Sequence, residues 1–141
     1  MKKRRYSGQS LVEFVLIFPL ALLLMMGLLD LGRGVFYYSS LSNAVREAAR
    51  YAVVNKSAID SAKDGDFNEL QDKVLEYGFT LQGTDNPLTK NDIVITFPSD
   101  KTISITATFT FKPITFMLAR VLGNPAGIDL VAQSTMRIYS H

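Results

Sequence analysis

Few residues in this chain are of a type that does chemistry. Asp60, Asp64 and Asp66 crowd around Gly65, a composition that suggests calcium, but they lack the spacing and the closing glutamate of an EF-hand loop. A solvated polar stretch is expected there, and no metal. The single histidine is the last residue, His141, and cysteine is absent, so thiolate metal sites, disulfides and cysteine redox chemistry are excluded. No phosphate-cradling glycine loop, zinc-binding helix motif or dinucleotide-binding turn occurs. With no nucleophile beside a base, no catalytic residue and no cofactor can be assigned, and the chain reads as a non-enzyme. The one carboxylate in an unusual setting is Glu13, the only charge between Leu11 and Leu29, five residues after Gly8. Its chemistry is that of a charge in apolar surroundings, where a counter-charge is wanted once water is lost.

The elements that place Glu13 follow from the hydropathy pattern. Leu11–Leu29 covers 19 residues, about 28 Å as a helix at ~1.5 Å per residue, just enough to span a bilayer. Lys2, Lys3, Arg4 and Arg5 precede it. The chain carries a net charge of +2, and these four residues supply more than all of it, so the remainder is acidic on balance. A short basic block before an apolar helix is retained on the cytoplasmic side, which makes residues 1–8 a cytoplasmic leader and puts the bulk of the chain outside. No basic patch interleaved with aromatics accompanies the leader, so nucleic acid is not expected as a partner.

Beyond Leu29 the apolar positions continue at three- and four-residue steps as Leu31, Val35, Tyr38, Leu41, Val45, Ala49 and Ala52, with Arg33, Asn43, Arg46, Glu47 and Arg50 largely off that stripe. The pattern predicts one long helix over 9–54, membrane-spanning at about 11–29 and amphipathic above. Pro19 removes a hydrogen bond to the Val15 carbonyl, and Gly27, Gly32 and Gly34 weaken the helix, so a kink or soft exit point is expected.

Residues 55–65 are polar and aperiodic and read as a linker. Residues 66–141 read as a small α+β extracytoplasmic domain. Asp66 and Glu69 form a capping-box pattern for a short helix whose Phe67, Leu70 and Val74 share a face and which Gly78 ends. "DIVITF" and "KTISITATFTFK" then alternate in period two around Pro98, Ser99 and Asp100, a hairpin with Ile103, Ile105, Ala107, Phe109 and Phe111 facing a core, and Ser104 and the neighbouring threonines on the other side. "GNPAG" makes another turn, and Ile128–Tyr139 alternates again with Ile128, Leu130, Ala132, Met136 and Ile138 on one face. The expected fold is therefore α+β: a long N-terminal helix, a short helix and a three-stranded antiparallel sheet, with the helices covering the apolar face. Ile114–Leu122, "ITFMLARVL", is unusually apolar for a connection between strands, and is expected to pack on the sheet or to contact a partner.

Three readings compete for the N-terminus. A cleaved secretory signal fits poorly, because the apolar region is too long and contains an acid, and the only small residues after it lie among Asp30 and Arg33. A plain anchor explains the basic flank, the span and Tyr37 and Tyr38 beyond it, but not Gly8 and Glu13. The third is a pilin-type signal cut on the cytoplasmic side. Here "GQSLVEFVLIFPLALLLMMGLLDLGRG" followed by "LSNAVREAARYAVV" resembles the TadE-like family, pilin-like proteins of tight-adherence pilus systems. The resemblance implies that a prepilin peptidase cuts between Gly8 and Gln9, leaving Glu13 fifth in the mature chain. It also implies that Glu13 meets the new Gln9 amine of a neighbouring subunit during assembly. The expected partners are the membrane, the peptidase, other pilin or pilin-like subunits and the pilus assembly machinery. The expected location is the bacterial cytoplasmic membrane as a single-pass precursor, then the cell surface or a pilus. An uncleaved single-pass anchor that displays a binding module, or a secretion-system accessory subunit, is the alternative.

Overall fold

A computed structural model describes residues 8–115, 120 and 127–138. The basic leader, most of "GNPAG", Tyr139, His141 and all of Ile114–Leu122 except Ile114, Thr115 and Arg120 lie outside the described residues. The chain forms α1 (Gln9–Val54), α2 (Lys56–Lys63), α3 (Asn68–Tyr77), two 3₁₀ turns (Phe79–Leu81 and Lys90–Asp92), β1 (Ile93–Ser99), β2 (Thr102–Phe111) and β3 (Ile128–Arg137). The fold is α+β, and α1 is unbroken through Pro19 and its three glycines.

The sheet is antiparallel in the order β1-β2-β3. Central β2 pairs with β3 over its whole length, from Thr102↔Arg137 to Phe111↔Ile128. The expected alternation holds on its inner face, where Ile103, Ile105, Ala107, Phe109 and Phe111 are buried. The outer face is less simple. Ser104 is also buried, and its hydroxyl bonds Thr135 Oγ1 and accepts from Gln133 Nε2. A short side chain on a central strand lies beneath the longer ones beside it, so alternation alone misreads it as open to water. The hairpin turn sits at Asp100–Lys101 rather than Pro98–Asp100, since Ser99 still pairs with Thr102. Pairing lapses between Thr96 and Ser99, where Pro98 lacks the N–H that an unbroken ladder needs and an edge strand can spare.

The upper part of α1 lies against β2 and β3 and against α3. Its Leu41, Ala44, Val45, Ala48, Ala49 and Ala52 are fully buried with Leu70, Val74 and Leu81. The four alanines let neighbouring backbones come close. Lower down, the expected stripe fails, for Leu31, Val35 and Tyr38 are 58%, 67% and 48% exposed. Two adjacent stripes run along α1, and the docked one passes through Asp30, Gly34, Tyr37 and Leu41. A 46-residue helix is about 69 Å long, whereas a ten-residue strand covers about 33 Å, so the sheet reaches only part of the way down and touches one stripe there. Phe111 packs over Gly34, where a Cβ would lie 3.6 Å from its ring.

Two further expectations change. Residues 55–65 are not a linker, because Lys56–Lys63 is helical. Ala58, Ile59 and Ala62 supply a narrow buried edge, too short and too sparse in large apolar residues to stand out by periodicity. The capping box at Asp66 and Glu69 does not form. Asp66 instead accepts the Asn68 N–H at 3.1 Å, just outside the helix, and that bond holds its carboxyl below the usual range. Glu69 is drawn away by the Tyr51 hydroxyl, which donates to it at 2.8 Å. A capping box occurs where none was anticipated, between Thr89 and Asp92.

The chain enters β3 through Gly127 at φ +125°, where a Cβ would come within 2.7 Å of Thr110 Cγ2 and 2.9 Å of the Phe111 carbonyl. Positive φ and contact with backbone both oppose a side chain there. Gly127→Ala is expected to destabilise the domain by more than ~1 kcal/mol, read as a lowered thermal midpoint, while Gly83→Ala, with nothing within 4 Å, should leave it nearly unchanged.

Candidate assembly site and helix–head junction

Gly8 is the N-cap of α1, at φ −86° and ψ −37°, and its carbonyl accepts the Val12 N–H at 3.2 Å. Nothing lies within 4 Å of the place a Cβ would occupy. The Gly8–Gln9 bond is therefore at an exposed end, on a residue with no side-chain bulk. Gln9 and Glu13 stand four residues apart on one face of α1, the spacing at which helix neighbours meet. Glu13 is exposed, and among the described residues it has no hydrogen-bond or ion-pair partner.

Among the described residues, the surroundings of Glu13 belong to α1 alone. Every residue from Leu11 to Met26 is exposed, including Phe14 and Phe18, whose rings stack at 5.2 Å. Among the described residues no part of the head, the domain formed from α2 onward, covers this run, and α1 is long and apolar enough to cross a membrane. A bare apolar helix of this kind suits single-pass anchoring. In a span over 11–29, Glu13 would lie about 11 Å from the middle, toward the edge of a ~30 Å hydrocarbon core, where its cost would fall below the roughly 2.5–3.5 kcal/mol of a central charge. The positive end of the helix dipole lowers it further.

At the other end of the span the structure places a carboxylate that sequence reasoning passed over. Asp30 is 1% exposed, the one charged residue in the core among the described residues. Its Oδ1 accepts the Ile114 N–H at 3.0 Å, and its Oδ2 accepts the Thr115 N–H at 2.6 Å. Arg33, one turn on, approaches Oδ1 at 3.4 Å. The Arg33 guanidinium also lies 5.6 Å from the Phe111 ring centre and 5.7 Å from that of Tyr37, and Tyr37 packs against both Phe109 and Phe111. Three N–H donors keep the buried carboxylate ionised. The arrangement is a clasp that ties the end of β2 to the first residue after the apolar run. Its sequence signal was an Asp on the stripe next to the most apolar one, with an Arg three residues later.

The other residues considered for chemistry are dispersed. Asp60, Asp64 and Asp66 are exposed, and no cluster of metal-binding side chains occurs among the described residues. Arg50 approaches Glu47 at 3.5 Å with both side chains largely exposed, a pair worth only about 0.3–0.5 kcal/mol.

Residues 8–50 match the TadE-like protein family. The match takes in the apolar run, Glu13, the Asp30–Arg33 turn and all but the last four residues of α1, and stops before α2 and the sheet. No curated protein and no solved structure matches the chain.

Proposed function

We propose that this protein is a TadE-like pilin or minor pilin, freed of its leader after Gly8 by a prepilin peptidase and built into or onto a tight-adherence pilus. The family is one of pilus structural and accessory proteins, which favours a structural role over an enzymatic one. The observation that carries the reading is the bare lower half of α1: an exposed apolar helix capped by Gly8, with a carboxylate a turn beyond Gln9 that has no partner among the described residues. A single-pass anchor needs the apolar run but has no use for that carboxylate. Packing of such helices into a bundle gives it one, since a charge stripped of water needs an opposite charge, and the amine created at Gln9 is on the same helix face.

The test is the intact mass of protein from membranes and from sheared filaments of cells with an active prepilin peptidase. Protein from both sources should begin at Gln9. Retention of Met1–Gly8 would leave an uncleaved anchor that displays the α+β head as a binding module.

A further inference from the structure

We infer that the head rests on the outer surface of the bilayer and seats a lipid acyl chain in an apolar groove at its base. The inference rests on single-pass anchoring by α1, and not on cleavage or assembly. The groove has a volume of about 310 Å³ and is open to one side. Leu31, Val35 and Tyr38 of α1 form one wall, and Phe111, Ile128 and Leu130 of the sheet form the other. The bilayer is favoured as occupant because the groove continues the lipid-facing surface. Leu31 is two residues past the span, and Leu31 and Val35 are the undocked stripe left exposed where the sheet covers its neighbour.

Height above the membrane is set by the clasp. Asp30 rises only about 1.5 Å beyond Leu29 along the helix, and the Ile114 and Thr115 amides bond to its carboxylate. The base of the head is thereby held at the end of the apolar span. Groups there suit that level: Ile114 is 68% exposed, and exposed Lys112 and part-exposed Arg33 carry the positive charge that suits lipid phosphates. Apolar surfaces of this kind sink roughly 5–10 Å into the interface.

The chain has no tryptophan, so single-tryptophan variants of the full chain can be placed in phosphatidylcholine vesicles with acyl chains brominated near the headgroup. Ile114→Trp and Leu130→Trp should lose most of their emission, and Leu24→Trp should be quenched by lipids brominated deep in the chain. Val94→Trp should keep its emission, because Val94 pairs with Thr106, about 16 Å up β2 from Phe111 at ~3.3 Å per residue. Ile114 is exposed, so its replacement tests the inference even if Leu130→Trp misfolds. Equal emission of Ile114→Trp and Val94→Trp, with Leu24→Trp quenched, would overturn it. A Leu130→Trp emission indifferent to bromine but shifted to the blue as protein-to-lipid ratio rises would assign the groove to a second copy instead. Failure to quench Leu24→Trp would remove the anchoring premise and the inference together.

Discussion

Glu13→Ala is expected to leave synthesis, membrane insertion and removal of the leader intact, and to abolish entry into filaments. Insertion becomes easier because a charge near the edge of the apolar run is lost. The proposed cleavage is at the Gly8–Gln9 bond, one helical turn away, and the exposure of Gly8 is not expected to change with the residue at position 13. On the proposed function, assembly is the stage at which the carboxylate is expected to act. If the Gln9 amine of an adjacent subunit is buried against it, removing one partner leaves an uncompensated ammonium, a penalty of about 3–5 kcal/mol, or roughly a hundredfold or more in assembly at about 1.4 kcal/mol per tenfold. Glu13→Gln should behave nearly as badly, since it keeps the shape and loses the charge. Neutralising the Gln9 amine in the Glu13→Ala background should restore part of the loss, because the unpaired ammonium carries part of the penalty. Quantifying precursor, mature protein and filament fractions separates the stages. Normal cleavage together with wild-type levels of Glu13→Ala protein in filaments would reduce Glu13 to an interfacial residue.

Asp30→Ala should produce the largest loss of stability in the head. The Ile114 N–H can turn to water, because its residue is exposed, but Thr115 is only 8% exposed and its N–H would be stranded. A buried donor left unsatisfied costs about 1–3 kcal/mol, which in a domain of this size lowers the thermal midpoint by an amount on the order of 10 °C. Asp30→Asn keeps an acceptor oxygen but turns an NH₂ group toward the other backbone donor, so an intermediate loss is expected. Arg33→Ala should cost less than Asp30→Ala, since the Arg33 side chain is 39% exposed and exposed ion pairs contribute at most ~1 kcal/mol. Amide exchange should report the same event locally, with Thr115 losing protection before the β2–β3 ladder does. A melting curve for Asp30→Ala that overlays the parent's would mean that the clasp does not hold the head to the helix.

The two carboxylates divide what was legible from what was not. Glu13 is conspicuous in the sequence because nothing around it is charged, and the surroundings that make it unusual are its own helix. Asp30 carries the same carboxylate group and directly follows the apolar run, yet its partners lie 84 and 85 residues away. No local pattern announces that two backbone amides after β2 will arrive there. The same reasoning covers residues 55–65, where helix formation depends on a short edge of Ala58, Ile59 and Ala62 finding the core. It also covers Glu69, taken from its capping role by a tyrosine 18 residues earlier.

By itself the sequence determined the long helix with its ends at Gln9 and Val54, the three strands, the inner face of β2 and the exposed apolar run, because each follows from periodicity or hydropathy within one segment. Only the tertiary structure decided which of two neighbouring stripes on α1 docks and how far down the sheet reaches. It alone made Asp30 a core residue and left Leu31, Val35 and Tyr38 exposed. The physical reason is that both stripes are apolar enough to be buried, and the choice falls to whichever one the sheet, with its fixed strand length and the amides at its lower end, can cover while leaving no buried N–H or carboxylate unpaired.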